Sequence, residues 1–217
     1  MAWQRLKNLK ADLIARAWQS LTTSAAIGPQ TKKGRRFGAF GEHSVICFPP
    51  TTIFNERYIH IGSFTMIGEH VALSAGMTEG QQCLTDPVVK IGDRCLIGRN
   101  SGIVGHLSID IGDDVWTGHS VYITDQNHGY EDVSKPISQQ TQSERAVSIG
   151  DGSWLGFGVV VLPGSRIGKH VAIGANSVVT GEIPDYCVAV GAPARVIRRY
   201  TPESGWKPAD EFDDLER

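Results

Sequence analysis

Aliphatic residues recur every six positions along most of this chain. Six consecutive repeat positions, which we call beats, are spaced six residues apart at Ile149, Leu155, Val161, Ile167, Ile173 and Val179. The earlier runs are Ile61, Ile67 and Leu73, then Ile91, Ile97, Ile103 and Ile109, then Ile111, Thr117 and Ile123. A period of six matches neither an α-helix nor a simple alternating strand. It predicts a solenoid whose coils contain three short strands joined by tight corners, with the aliphatic residue pointing inward.

The residues between the beats support the same interpretation. The fourth residue after a beat is mostly small or β-branched, as at Thr65, Ser101 and Ser153. Glycine makes up 25 of 217 residues, whereas about 7% is usual. Small inward residues and glycine relieve crowding where the backbone of one coil approaches the next. Because the repeat is nearly continuous, we expect one extended all-β domain.

Charge and cysteine content narrow the class of protein. The formal net charge is only -2, which argues against nucleic acid or an anionic membrane as the main partner. The four cysteines form no CxxC pair, so we interpret them as reduced thiols of a cytoplasmic protein. Neither a signal peptide nor a membrane-spanning segment is predicted, since every long apolar run is interrupted. The cysteines are Cys47, Cys83, Cys95 and Cys187.

Three regions are predicted along the chain. Residues 1–36 form an amphipathic helix and a basic linker, residues 37–200 form the β-helix, and residues 201–217 form an acidic, mobile tail. The apolar stripe of the helix predicts packing on its own protein or a neighbouring subunit, or a weak peripheral membrane contact. Two loop insertions interrupt the repeat, at about residues 75–87 and 125–146. Loops that leave a rigid scaffold are where chemistry is usually placed.

The hexads resemble a known family when they are read together with three further segments. These segments are the excursion with Asn127 and His128, the stretch Ile149–Gly156, and the ending Gly191–Ile197 with its Ala-Pro-Ala-Arg sequence. Together they resemble the left-handed β-helix acyltransferases. Within that family the chain is most similar to sugar O-acetyltransferases, which include maltose, galactoside, nodulation-type and surface-polysaccharide enzymes. The resemblance implies a left-handed coil, a homotrimer with sites between subunits, acetyl-CoA as co-substrate and no metal.

Acyl transfer from a thioester to a hydroxyl needs a base, and an imidazole with an ordinary pKa of about 6.5 suits that role. His128 lies in the second insertion and matches the catalytic histidine of the family. Asp125 and Asn127 are candidates for positioning His128 or the acceptor. His106 stands where relatives often have an acidic residue that contacts the sugar. It is therefore either an acceptor-binding group, a second acid/base, or a structural corner histidine.

The donor site is implied by the resemblance alone. The pantetheine arm of coenzyme A would pass Trp154, Gly156, Ala175 and Thr180. Arg195 and Arg198 would lie near the phosphates of the nucleotide, since phosphates attract cations. Gly181 departs from the family, which often has lysine at that position.

The sequence therefore predicts an acetyl-CoA-dependent O-acetyltransferase that acts on a sugar or a precursor of a cell-surface polysaccharide. Transfer is expected to be direct, because no Ser or Cys lies in a nucleophile-and-base signature. One alternative is a zinc enzyme of the β-helix carbonic anhydrase type, although the chain has no close histidine pair. Another is a non-catalytic solenoid that binds a ligand. The acceptor itself is left open.

Overall fold

Almost all strands of this chain are two to four residues long, as a six-residue repeat requires. The computed structural model describes residues 2–213. Its helices are α1 (Ala2–Ala25) and α2 (Asp210–Asp213), and short 3-10 turns lie at Gly34–Arg36, Glu56–Tyr58 and Ile137–Gln139. The strands in chain order are β1 (Ala39–Phe40), β2 (Val45–Ile46), β3 (Ile53–Phe54), β4 (Ile59–Ile61), β5 (Met66–Ile67), β6 (Ala72–Ala75), β7 (Val89–Ile91), β8 (Leu96–Ile97), β9 (Gly102–Gly105), β10 (Ile109–Ile111), β11 (Trp116–Thr117), β12 (Tyr122–Thr124), β13 (Gln126–Asn127), β14 (Ser143–Glu144), β15 (Val147–Ile149), β16 (Trp154–Leu155), β17 (Val160–Val161), β18 (Arg166–Ile167), β19 (Ala172–Ile173), β20 (Val178–Val179), β21 (Glu182–Ile183), β22 (Cys187–Val190), β23 (Arg195–Thr201) and β24 (Gly205–Pro208).

The strands form three walls, and each strand pairs with the strand one coil later. The first wall has the order β1-β4-β7-β10-β15-β18-β21. The second wall runs β2-β5-β8-β11-β16-β19-β22 and continues into β23 and β24, and the third runs β3-β6-β9-β12-β17-β20. Pairing within the coils is parallel throughout. The predicted all-β architecture of hexapeptide coils with parallel sheets is therefore confirmed.

The residues at the six-residue beats fill the interior of the coil. In the first wall the residues from successive coils lie in register and are at most 5% exposed. Burial of one such side chain stabilises the fold by about 1.5–3 kcal/mol. Thr117 replaces an aliphatic residue, and its hydroxyl oxygen accepts a hydrogen bond from the N–H of Gly98 at 2.9 Å. The inward residues of the first wall are Ile61, Ile91, Ile111, Ile149, Ile167 and Ile183.

Glycine and aspartate cooperate at one corner of the coil. Asp151 Oδ1 accepts a hydrogen bond from the backbone N–H of Asp113 in the preceding coil at 3.1 Å. A Cβ atom at Gly112 would lie 2.2 Å from that oxygen. The glycine of one coil thus leaves the space that the aspartate of the next coil occupies. The same arrangement joins Gly62 with Asp93, Gly92 with Asp113 and Gly168 with Asp185.

Both ends of the chain differ from the sequence-based expectation. Ile27, in the expected linker, is buried and exchanges two backbone hydrogen bonds with Ile46, at 2.9 and 2.8 Å. In the expected mobile tail, β24 pairs antiparallel with β23, which itself pairs with β22 of the last coil. This hairpin covers the end of the second wall, where open strand edges would otherwise remain unpaired. Residues 214–217 of the expected tail lie outside the described residues.

The predicted N-terminal helix is α1, and its apolar stripe is exposed. The large apolar side chains of the stripe are 51% to 69% exposed. Lys7 Nζ lies 3.7 Å above the centre of the Trp3 ring. Within residues 2–213, no helix is long and apolar enough to cross a membrane. The exposed members of the stripe are Trp3, Leu9, Leu13, Ile14, Trp18 and Leu21.

We expect Gly112→Ala to lower the free energy of unfolding by about 1–3 kcal/mol, the usual cost of overpacking. The new Cβ would lie 2.2 Å from Asp151 Oδ1, and moving that oxygen would break its bond to Asp113. Gly181→Ala is the matched control, because its Cβ would meet nothing within 4 Å. Urea unfolding measures both variants. Equal stability of the two would contradict the steric role of the corner glycines.

Candidate active site

Two neighbouring strands of the third wall end at the same point. Val104 of β9 lies in register with Thr124 of β12. The residues that follow, His106 in one coil and Asp125 in the next, therefore lie close together. The chain leaves the coil after Asp125 and returns at β15, so the second insertion begins beside His106.

Asp125 is completely buried and serves the backbone of the preceding coil. Its Oδ1 accepts a hydrogen bond from the N–H of His106 at 2.8 Å. Its Oδ2 accepts from the N–H groups of Leu107 and Ser108 at 2.8 and 2.7 Å. The structure thus differs from the expectation that Asp125 contacts the acceptor or His128. Three backbone donors occupy the carboxylate, and Asp125 fixes the 106–108 turn.

The second insertion returns as a short antiparallel hairpin. Asn127 of β13 pairs with Ser143 of β14, and Gln126 pairs with Glu144. The backbone N–H of Arg145 donates to the carbonyl oxygen of Asp125 at 2.8 Å, which ties the base of the hairpin to the coil. Residues two apart on an extended segment point to the same side. Gln142 and Glu144 therefore approach the coil together, and each one contacts a histidine.

Glu144 lies against His106. Its Oε1 is 3.5 Å from His106 Nδ1, and the two side chains are 39% and 7% exposed. The two atoms are close enough for an ion pair, but they do not form a hydrogen bond. Nδ1 is therefore a buried atom without a hydrogen-bond partner. His106 is thus a buried ring whose Nδ1 faces a carboxylate across a gap slightly longer than a hydrogen bond.

Gln142 lies against His128. The Gln142 amide nitrogen is 3.4 Å from His128 Nδ1. His128 and Asn127 are exposed on the hairpin. The side-chain oxygens of Gln142 and Gln126 are buried without a hydrogen-bond partner. The hairpin therefore brings both histidines into one region, together with two glutamine side chains that still have hydrogen-bonding capacity.

The expected donor residues are distributed over more than one wall. Trp154 is 49% exposed and pairs with Trp116 of the preceding coil. In the other direction along the second wall, Trp154, Ala172, Val188 and Arg198 lie in register. Three strand spacings, about 14 Å, therefore separate Trp154 from Arg198. Partners opposite one another in a sheet point to the same face, so Trp154 and Arg198 share the outer face of this wall.

Other expected donor residues lie at the corner after the second wall and on the third wall. A Cβ at Gly156 would lie 2.7 Å from the backbone nitrogen of Ala175, so these two residues are in close backbone contact. Thr180 directly follows β20 on the third wall, the wall that leads into Asp125. Arg195 is exposed at the start of β23, and its Nη1 donates to the carbonyl oxygen of Ala194 at 2.9 Å. The six expected donor residues thus lie on the second wall, on the third wall and at the corner between them.

Nothing in the described range 2–213 forms a metal site. No group of three or more His, Cys, Asp or Glu side chains in this range could hold a metal ion. A cleft at the end of the first wall contains none of the expected site residues. Its lining includes Ser148, Arg166, Glu182, Asp185, Arg199 and Tyr200.

Comparison with known proteins assigns the repeats. The bacterial transferase hexapeptide family (six repeats) matches residues 146–181, and the hexapeptide repeat of succinyl-transferase matches residues 88–125. A galactoside O-acetyltransferase of Lactococcus lactis is 36% identical over 141 residues, which are 60% of this chain and 66% of that protein. The chain belongs to the hexapeptide-repeat acetyltransferase family.

Two further known proteins show how much of the chain this likeness covers. The probable acetyltransferase Rv3034c of Mycobacterium tuberculosis is 37% identical over 142 residues, 65% of this chain and 42% of that protein. The chain thus spans 42% and 66% of the lengths of these two relatives. The N-acyltransferase AntD of Bacillus cereus, solved with dTDP and 3-hydroxybutyryl-CoA, has a TM-score of 0.65 at 20% identity, covering 85% of this chain and 90% of that one. That likeness concerns the fold alone.

Sequence reasoning missed three side chains of this site. Gln126, Gln142 and Glu144 carry no recognisable motif, and Glu144 is 38 residues from His106 in sequence. Pairing of β13 with β14 brings Gln142 and Glu144 to the histidines, and Gln126 lies opposite Glu144 in the hairpin. The one available signal was their position in an insertion that leaves the repeat.

Proposed function

We propose that this protein is an acetyl-CoA-dependent O-acetyltransferase that transfers acetyl directly to a hydroxyl of a sugar or a cell-surface polysaccharide precursor. The observation that carries the proposal is the hairpin, which holds His128 beside Gln142 and Glu144 beside His106 on a hexapeptide coil. The sugar acceptor is supported by the galactoside O-acetyltransferase to which the chain is similar. The catalytic unit is residues 37–200, with the left-handed coil expected for the family.

His128 is the proposed general base. It takes the proton of the acceptor hydroxyl while the oxygen attacks the thioester carbonyl. A neutral imidazole that accepts at Nε2 carries its proton on Nδ1, and Nδ1 faces Gln142. Amide oxygen and nitrogen have nearly the same shape, so their assignment follows from the hydrogen-bond network. With the amide turned, Gln142 Oε1 would accept from Nδ1–H and would no longer be a buried oxygen without a partner.

Direct transfer is supported by the state of the thiols. Burial is the main reason why the pKa values of Cys47, Cys83 and Cys187 are raised. Burial likewise raises the pKa of Cys95 to about 11. A thiol is nucleophilic as its thiolate, so none of these cysteines is suited to form an acyl-enzyme at neutral pH. All four are free, which agrees with a reaction in the cytoplasm.

We place the donor along the walls and the acceptor at the hairpin. Trp154, Gly156, Ala175 and Thr180 would contact the pantetheine arm, and Arg195 and Arg198 would meet the phosphates. His106 and Asn127 would contact the acceptor. Trp154 and Arg198 lie on the outer face of the second wall. His128 lies in the hairpin that follows β12 of the third wall. The different directions of these two walls support a site that a neighbouring copy completes in the expected homotrimer.

The exposed stripe of α1 suggests an additional partner. Its tryptophans and its basic residues Lys7, Lys10 and Arg16 suit the surface of an anionic membrane. We propose that the stripe makes a weak, peripheral contact of this kind. Packing on a neighbouring subunit is the competing use of the same stripe.

We expect His128→Ala to reduce the turnover of acetyl-CoA with an acceptor by about a hundred- to ten-thousandfold, the usual contribution of a general base. The mutant should stay folded, because His128 is exposed on the hairpin. His119→Ala, at an exposed corner of the coil, is the matched control. Thiol release at saturating acetyl-CoA measures both, and near wild-type turnover in the folded mutant would reject this base.

Replacing Arg198 or Arg195 with Ala should weaken the binding of coenzyme A, because each removes a cation near the proposed phosphate site. Added salt should weaken donor binding more in wild type than in the mutants. Arg166→Ala on the first wall removes an exposed arginine away from the proposed site and is the control. Calorimetric titration with coenzyme A gives the affinities. Unchanged affinity in both mutants would place the nucleotide elsewhere.

The double substitution of Leu13 and Trp18 by Gln should abolish weak flotation of the protein with anionic vesicles. Light scattering should still show a trimer, because the trimer contacts are proposed for the coil walls. Loss of the trimer in this variant would instead assign the stripe to a subunit interface. A wild-type monomer at concentrations where the enzyme is active would contradict the shared site.

A further inference from the structure

We propose that Glu144 is a positioning residue that fixes the tautomer of His106, so that the oriented ring accepts a hydrogen bond from a second hydroxyl of the acceptor. The inference rests on the proposed function and deepens it. It assigns a task to a side chain that no sequence motif marks. It also defines the acceptor chemically, as a compound with a further hydroxyl near the one that is acetylated.

The first observation is the unsatisfied ring of His106. Its side chain is 7% exposed, and its Nδ1 is a buried atom with no hydrogen-bond partner. A buried polar atom that is left unpaired destabilises the folded chain. A histidine with only a structural role at a corner would use this nitrogen in a hydrogen bond. Nδ1 is instead directed at a carboxylate that is just too distant.

The second observation is that Glu144 can close this gap. Its Oε1 is 3.5 Å from Nδ1, and the side chain is 39% exposed. A small rotation of a partly solvated glutamate shortens such a contact to hydrogen-bond length. The ring cannot make the equivalent movement as easily, because Asp125 holds the backbone N–H of His106 and of the next two residues. The carboxylate therefore adapts to a ring held in place.

The chemical consequence concerns the other ring nitrogen. A carboxylate is an acceptor only, so it favours the tautomer with the proton on Nδ1. Nε2 then carries the lone pair and can accept a hydrogen bond from a hydroxyl. Nε2, unlike Nδ1, is not a buried unpaired atom. The ring would thus recognise a hydroxyl donor of the acceptor beside the hydroxyl that His128 deprotonates.

The placement of Glu144 links the two histidines. β14 brings Glu144 to His106, and Gln142, two residues earlier, contacts His128. The segment 142–144 therefore contacts both the proposed base and the proposed acceptor group. A site built in this way can recognise two hydroxyls at a fixed separation, which is a property of sugars and other polyols.

A test that needs no acceptor is nitrogen NMR of histidine-labelled protein at a pH where the rings are neutral. In wild type, the His106 signals, assigned with His106→Gln, should show the proton on Nδ1. In Glu144→Ala that pattern should change, while the His128 signals should stay the same. Ser143→Ala, an exposed neighbour on β14, should change neither. A wild-type proton on Nε2, or a His106 pattern unaffected by Glu144→Ala, would overturn the proposal.

Kinetics test the consequence for the acceptor, with p-nitrophenyl β-D-galactoside and its deoxy analogues as probes. Glu144→Ala should raise the KM for the galactoside by about tenfold, the loss of one hydrogen bond. The KM for acetyl-CoA should not change. Glu144→Gln, which keeps an oxygen to accept from Nδ1–H, should restore most of the loss, and Ser143→Ala should behave as wild type.

The deoxy analogues separate the possible outcomes. One analogue should be a poor substrate of wild type and yet suffer no further loss in Glu144→Ala, because both changes remove the same hydrogen bond. Additive losses for every analogue, or equal KM values in wild type and Glu144→Ala, would overturn the role of Glu144. Absence of any acetyl transfer by wild type, with the expected NMR pattern intact, would reject the proposed function and its hydroxyl ligand but leave the His106–Glu144 pair.

Discussion

Each coil approaches the next so closely that backbone and side chains compete for the space at the corners. Parallel strands must lie about 4.8 Å apart to form their hydrogen bonds. At the corners this leaves no room for a side chain on one coil and a carboxylate on the next. Gly112 and Asp151 resolve the conflict, since the missing Cβ makes space for an oxygen that accepts the N–H of Asp113. Repetition of this contact keeps the coils in register.

A coil held in register in this way makes a rigid base for a site. Asp125 shows how the same device is used where the repeat is interrupted. Its carboxylate again serves the preceding coil, but it binds three N–H groups and fixes the turn that carries His106. The chain then leaves the coil as a hairpin whose base is tied by the bond from Arg145 to Asp125. The hairpin thus adds the residues of the candidate site to the scaffold while the coils remain stacked.

The scaffold also separates the groups that the proposed reaction must combine. Trp154 and Arg198 share the outer face of the second wall. His106 and His128 follow the strands β9 and β12 of the third wall. These two walls face different directions within a single coil. Association of copies would bring different walls together, so the proposed function connects assembly with catalysis. The raised pKa values of the four thiols are consistent with the proposed use of a base and no covalent intermediate.

The repeat, and with it the coiled architecture, could be predicted from the amino-acid sequence. Period, inward aliphatic residues and corner glycines are local properties, because each coil contacts only its neighbours, and so they could be read directly from the spacing. The spacing also marked the region of the candidate site, since His106 and His128 stand at an interruption of the repeat. The ordered structure of the C-terminal segment could not be predicted, because β24 depends on pairing with β23 rather than on a repeat of its own.

The contacts between the residues of the candidate site became visible only in the folded chain. Asp125 looked like a partner of the acceptor or of His128, but burial and three backbone donors give it a structural task. Glu144 and Gln142 had no distinguishing pattern, and they reach the histidines because a hairpin folds back on the coil. Hydrogen bonds across such distances in sequence depend on where an irregular loop returns. Loop paths carry no periodic signal, so only the folded chain shows which polar groups meet.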